Sequence, residues 1–82
     1  MKKEEEYIII VNASEHTVHD ETVTYAQIVG LAYPSAPTDP SFTYSITFEH
    51  AKNPKQGTLA EGGSVEVKKR NTEFDVIQAN RA

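Results

Sequence analysis

The sequence predicts an α+β fold, a mixed sheet of four to five strands with one short helix packed across it. Three observations predict it. Tyr7-Ile8-Ile9-Ile10-Val11 and the alternating run from Phe42 to Phe48 read as strands. One segment between them changes to helical period, and short β-branched runs follow to the end of the chain. A sheet and a helix must each bury an apolar side, and one helix on one sheet is a sufficient two-layer solution for 82 residues.

Residues 1–6 are dominated by charge and read as a disordered tail. Tyr7 to Val11 is β-branched and aromatic, the strongest strand signal in the chain. Asn12-Ala13-Ser14-Glu15 is expected to turn, and His16 to His19 to run back as the second strand of a hairpin. Thr24-Tyr25-Ala26-Gln27 matches a capping box, with Val23 and Ile28 placed as a hydrophobic staple. Tyr25, Ile28, Val29 and Ala32 then recur at helical spacing, so a helix is predicted over 25–32, stopped by Pro34. Pro34 to Pro40 holds three of the four prolines and reads as a loop.

Phe42, Tyr44, Ile46 and Phe48 lie on one face of a half-buried strand. Ala51 to Gln56 is a polar loop. Gly57-Thr58-Leu59 is expected as a short edge strand, Gly62-Gly63 as a turn, and Ser64 to Val67 as another strand. Glu73 to Ile77 closes the domain, so its bounds are 7–77, with 78–82 as a flexible tail. Hairpin, helix and returning strands in this order are the β-grasp order. A crossover helix then puts the first and last strands side by side and parallel at the sheet centre.

Period two sorts the side chains. Tyr7, Ile9, Val11, Val18, Phe42, Tyr44, Ile46, Phe48, Leu59, Val65, Phe74 and Val76 are expected under the helix. Ile8 and Ile10 then point away from it, with Thr17 across from them, and Ile77 is out of phase with Phe74 and Val76. These three isoleucines are the candidate partner-binding residues on the open sheet face.

Composition removes several functions. There are 12 acidic and 8 basic residues, a net charge of −4, and neither Cys nor Trp. Nucleic acid is not expected as a partner, because phosphate binding needs concentrated Lys and Arg. Lys68-Lys69-Arg70 is the one basic cluster and reads as a solvated loop. Without cysteine there are no disulfides, thiolate metal sites or Cys nucleophiles, and a cytoplasmic setting is expected. No apolar run approaches a membrane span, so no membrane partner is expected.

Catalytic chemistry has no candidate residues. His16 and His19 point to opposite faces of a strand, and His50 brings no paired ligand motif, so no metal site is predicted. The serines lie in no nucleophile-elbow context. Asp20-Glu21 looks solvent-facing, not like a paired acid and base. Gly62-Gly63 lacks the Lys and Ser/Thr of a phosphate loop, so no cofactor is expected either. The chain is not expected to be an enzyme.

Three stretches resemble bacterial multiubiquitin-type domains: Val11-Asn12 with Glu15 to Val18; Val23 through Ala32; and Gly57-Thr58-Leu59, Gly62 and Ser64 to Lys68 leading to Phe74-Asp75-Val76. The resemblance covers about residues 7–80. It implies a monomeric ubiquitin-like modifier, similar to those of bacterial conjugation operons, some linked to defence against phage. Its implied partners are a processing peptidase, E1-like and E2-like enzymes and target proteins. The functional group would be a C-terminal carboxylate. Ubiquitin ends in two glycines, whereas this chain ends Gln78-Ala79-Asn80-Arg81-Ala82, with no glycine after Gly63. The expectation is therefore that Arg81 and Ala82 are removed, leaving Asn80, preceded by Ala79, as the reactive terminus. The competing reading is an adaptor that binds through Ile8, Ile10 and Ile77 and is never conjugated.

Overall fold

The computed structural model describes residues 5–34 and 41–80. Tyr7–Val11 forms β1, and Ser14–Val18 returns antiparallel as β2, with Val11 opposite Ser14 and Tyr7 opposite Val18. The turn is shorter than expected. Only Asn12 (φ 49°) and Ala13 (φ 69°) form it, both left-handed, so Ser14 and Glu15 already belong to the strand. Two consecutive left-handed residues match the twist of a tight hairpin, and Asn is one of the few side chains that tolerates the first position.

Thr22–Thr24 forms β3, a strand the sequence reading did not include, directly before helix α1 at Tyr25–Ala32. The capping box is complete. The Gln27 backbone N–H donates to Thr24 Oγ1 at 3.2 Å, and the Thr24 N–H donates to Gln27 Oε1 at 3.0 Å. Val23 and Ile28, the expected staple, are both fully buried in one core. The loop expected at 34–40 lies, from residue 35 onward, outside the described residues.

β4 spans Phe42–Glu49, β5 Gly57–Leu59, β6 Ser64–Glu66 and β7 Thr72–Asn80. The main sheet has five strands in the order β2-β1-β7-β4-β5, with β1 and β7 parallel and the other pairs antiparallel. β3 and β6 make a second, two-stranded sheet. The β-grasp arrangement is therefore present, with the first and last strands adjacent at the centre.

The core is Tyr7, Ile9 and Val11 from β1, Ile28 and Val29 from α1, Ile46 and Phe48 from β4, and Leu59, Val65, Phe74 and Val76 from the later strands. Val18, Tyr25 and Tyr44 pack half-buried at its edge. Ala51 and Val67, which lie outside the core set expected from the sequence, are also fully buried. Ala51 sits in the polar 51–56 loop, which is tied down by Lys52 N–H to Glu66 O (2.9 Å) and by Lys52 Nζ to Glu21 Oε2 (2.6 Å). That hydrogen bond to the Glu21 carboxylate raises the Lys52 pKa above its ordinary value.

The Gly62-Gly63 pair has a structural explanation. Gly62 adopts φ +80°, and a side chain at Gly63 would stand 2.9 Å from the Ala60 carbonyl oxygen. Among the described residues, no helix is long and apolar enough to cross a membrane.

Candidate functional site: the last strand and the open sheet face

β7 runs three residues beyond its expected end. The tail assigned to 78–82 is, as far as Asn80, strand: Gln78 lies opposite Tyr44, Ala79 opposite Thr43 and Asn80 opposite Phe42. The cause is β4, whose eight residues offer a full-length partner to a stretch with little strand propensity of its own. Gln78 Nε2 also donates to the Tyr44 hydroxyl at 3.0 Å. Tyr44 is braced in turn, since the Tyr25 hydroxyl donates to its carbonyl at 3.1 Å and the Tyr33 ring lies 5.4 Å from its own. The two candidate terminal residues Ala79 and Asn80 are thus exposed but sheet-bound. Arg81 and Ala82 lie outside the described residues.

On its β1 side, β7 has an unusual partner. β1 ends at Val11, but Asn12 extends its role by one step through the side chain. The Asn12 backbone N–H donates to Phe74 O at 2.9 Å. Its carboxamide oxygen accepts from the Val76 N–H at 2.8 Å, and its amide donates to Val76 O at 3.2 Å. The primary amide thus imitates one residue of backbone.

The open face carries Ile8, Ile10 and Ile77, as period two requires, but the three do not meet. Ile10 pairs with Glu15 on one side and Glu73 on the other, and Ile8 pairs with Thr17. Ile77 pairs with Ser45. It stands four residues beyond Glu73, roughly 13 Å along the strand, with Asp75 between. Ile8 and Ile10 are half-buried, while Ile77 is 66% exposed. In place of an apolar patch there is one exposed isoleucine beside an acidic band. Glu15, Ile10, Glu73 and Glu49 form one row across four strands, and Asp75 lies in the next. No Lys or Arg occupies an outward position in any strand of this sheet.

The basic residues collect elsewhere. Lys69 Nζ reaches Glu5 Oε1 at 3.0 Å and lies 4.7 Å from the centre of the Tyr7 ring, while its side chain stays exposed in the loop, as expected of this basic cluster. Glu5, expected in the tail, is held by this contact and by the Tyr7 hydroxyl, which donates to it at 2.7 Å. That hydrogen bond, with burial and the nearby Glu5 charge, pushes the Tyr7 pKa up to about 12. Lys68 and Arg70 line a shallow cleft of about 400 Å³ with His50, Asn71 and Glu73. Beneath it the fully buried Thr72 donates to His50 O at 2.9 Å and accepts from the Lys68 N–H at 3.1 Å. His50 otherwise meets, among the described residues, only Glu49, at 3.5 Å, and His19 contacts the Glu5 carbonyl. Among the described residues, no three His, Asp or Glu side chains converge as metal ligands would.

The last strand and its edge were thus the part of the site least visible in the sequence. The usable signal was the length of β4, which requires a partner longer than five residues. Residues 7–79 match a family model described as multiubiquitin. No curated protein and no solved structure matches the chain.

Proposed function

The chain belongs to the multiubiquitin family, and from that premise we propose that it is a ubiquitin-like modifier, the substrate of a conjugation pathway and not an enzyme. The carrying observation is the family match over nearly the whole β-grasp domain. In this reading a peptidase removes Arg81 and Ala82 and exposes the Asn80 carboxylate. An E1-like enzyme adenylates that carboxylate with ATP, and an E2-like enzyme passes it to a target in the cytoplasm, with anti-phage defence as the setting the family resemblance suggests.

β7 supports a specific form of the reading. Asn80 is the last residue of a strand paired to Phe42, so an enzyme must either act at the end of the sheet or first peel the strand from β4. Removal of Arg81 and Ala82 leaves every β4–β7 pair intact. The trimmed form should therefore be as stable as the full chain. Incubation with the cognate peptidase, followed by intact mass measurement, should show a single product ending at Asn80. Recovery of full-length protein alone contradicts the trimming step.

A second reading is favoured by Ile77, which among the described residues is the exposed large hydrophobic residue, on a sheet face that also carries the half-buried Ile8 and Ile10. An adaptor would use that side chain and leave the terminus unused. Ile77→Asp should then abolish function, whereas deletion of Arg81 and Ala82 should not.

A further inference from the structure

The hydrogen-bond pattern of β7 leaves part of one edge open. Along a strand, a residue's N–H and C=O point to the same side, and the side alternates from residue to residue. Phe74 and Val76 direct theirs toward β1, where Asn12 meets them. Gln78 and Asn80 therefore direct theirs to the same side. There β1 has already turned away into β2. The one hydrogen bond of Gln78 outside the sheet is made by its side chain, to Tyr44. Asn80 makes none outside the β4 ladder among the described residues, and Ile77 to Asn80 are all exposed. Two donor–acceptor pairs thus stand at the spacing of an extended chain.

The flanking face specifies what could fit. Ile77 and Ala79 point outward beside this edge, with Asp75 one step back and level with Asn12, and the rest of the open face carries Glu15, Glu49 and Glu73 with no balancing cation in any strand. A strand added here would place alternate side chains level with Ile77 and Ala79, and a long side chain at the first position reaches Asp75 on the diagonal.

The geometry points to the Gln78–Asn80 edge as a docking site for an extended segment of a partner protein. That segment carries Lys or Arg and an aliphatic residue two apart on one face. It continues the line of β1 beyond Asn12, with its backbone on Gln78 and Asn80, its cation level with Ile77 and reaching diagonally back to Asp75, and its aliphatic side chain level with Ala79 and packed diagonally on Ile77. This surface stands whether or not the terminus is conjugated.

The test uses the ¹⁵N-labelled full chain and the end-blocked peptide Lys-Thr-Val-Thr-Lys-Thr, which presents Lys, Val and Lys on one face in either direction. Amide shifts should concentrate at Asp75 and at Gln78 to Asn80. The same peptide with both lysines replaced by glutamate should give none. Gln78→Pro removes the edge N–H without touching the β4 ladder, while Gln78→Ala removes only the side chain, so the proline variant should bind about tenfold more weakly than the alanine variant. On the unaltered chain, methylating alternate peptide nitrogens in one phase should abolish binding, and in the other phase preserve it. Equal binding by the two Gln78 variants, the same response to both methylation phases, or shifts centred on β2 or β5 would overturn the proposal. So would concentration-dependent dimerisation that occupies this edge without peptide.

Discussion

Thr72 shows how one hydroxyl can hold together a region with no regular structure. At zero exposure it bridges His50 O and the Lys68 N–H, both on loops that adjoin β7. Thr72→Val keeps the shape and removes the hydroxyl, leaving a donor and an acceptor without their bridge. It should cost about 1–3 kcal/mol in denaturant unfolding, and a neutral result would mean that water replaces the bridge. Tyr7 gives a prediction in pH. Its pKa rises from about 10 to about 12 on folding, so the folded chain holds a proton that the unfolded chain releases first. The resulting stability is complete below pH 10, falls as pH rises to about 12, and is then gone. Thermal melts across that range should decline more steeply for the unaltered chain than for Tyr7→Phe. Parallel declines would remove Tyr7 as the cause.

At the scale of the element, α1 is eight residues long and too short to persist alone, so its cap and its packing decide whether it forms. Thr24→Ala removes the side-chain half of the capping box and should destabilise the domain by about 1 kcal/mol, read from the denaturant midpoint. No change would mean that packing by Ile28 and Val29 suffices. The helix was fully legible in the sequence because cap, staple and period all agreed on 25–32. β1 and β4 were legible because their alternation is long and their side chains β-branched or aromatic. β3 was not, since Thr22-Val23-Thr24 serves both as a strand and as the approach to a cap, and only pairing with Ser64 to Glu66 reveals it. Gln78-Ala79-Asn80 was missed because none of these residues favours a strand by itself, and the neighbour supplies the structure. Ala51 escaped because its burial comes from the fold-back of a polar loop that periodicity does not describe.

At the scale of the whole molecule, the open face of the main sheet stands out by its charge. The open side of the sheet is acidic, while Lys68, Lys69 and Arg70 gather near one end of β7. Period two assigned Ile8, Ile10 and Ile77 to one face, yet it could not show that they stand apart. That separation depends on register, and Ile10 lies level with Glu73, not Ile77. The candidate terminus depends on family membership more than on any visible geometry, because Ala79 and Asn80 carry no chemistry of their own. Ile77→Asp and loss of Asn80 therefore separate the two functional readings: the first should spare activation of the terminus and the second should abolish it.

The most direct test of the modifier reading is intact mass measurement after incubation of the protein with ATP, its peptidase and its E1-like and E2-like enzymes. The expected result is a covalent adduct between an enzyme and a chain shortened by Arg81 and Ala82, labile to mild base as an activated ester is. Failure to form any adduct, with enzymes that remain active on another substrate, would contradict it and leave the adaptor reading in its place.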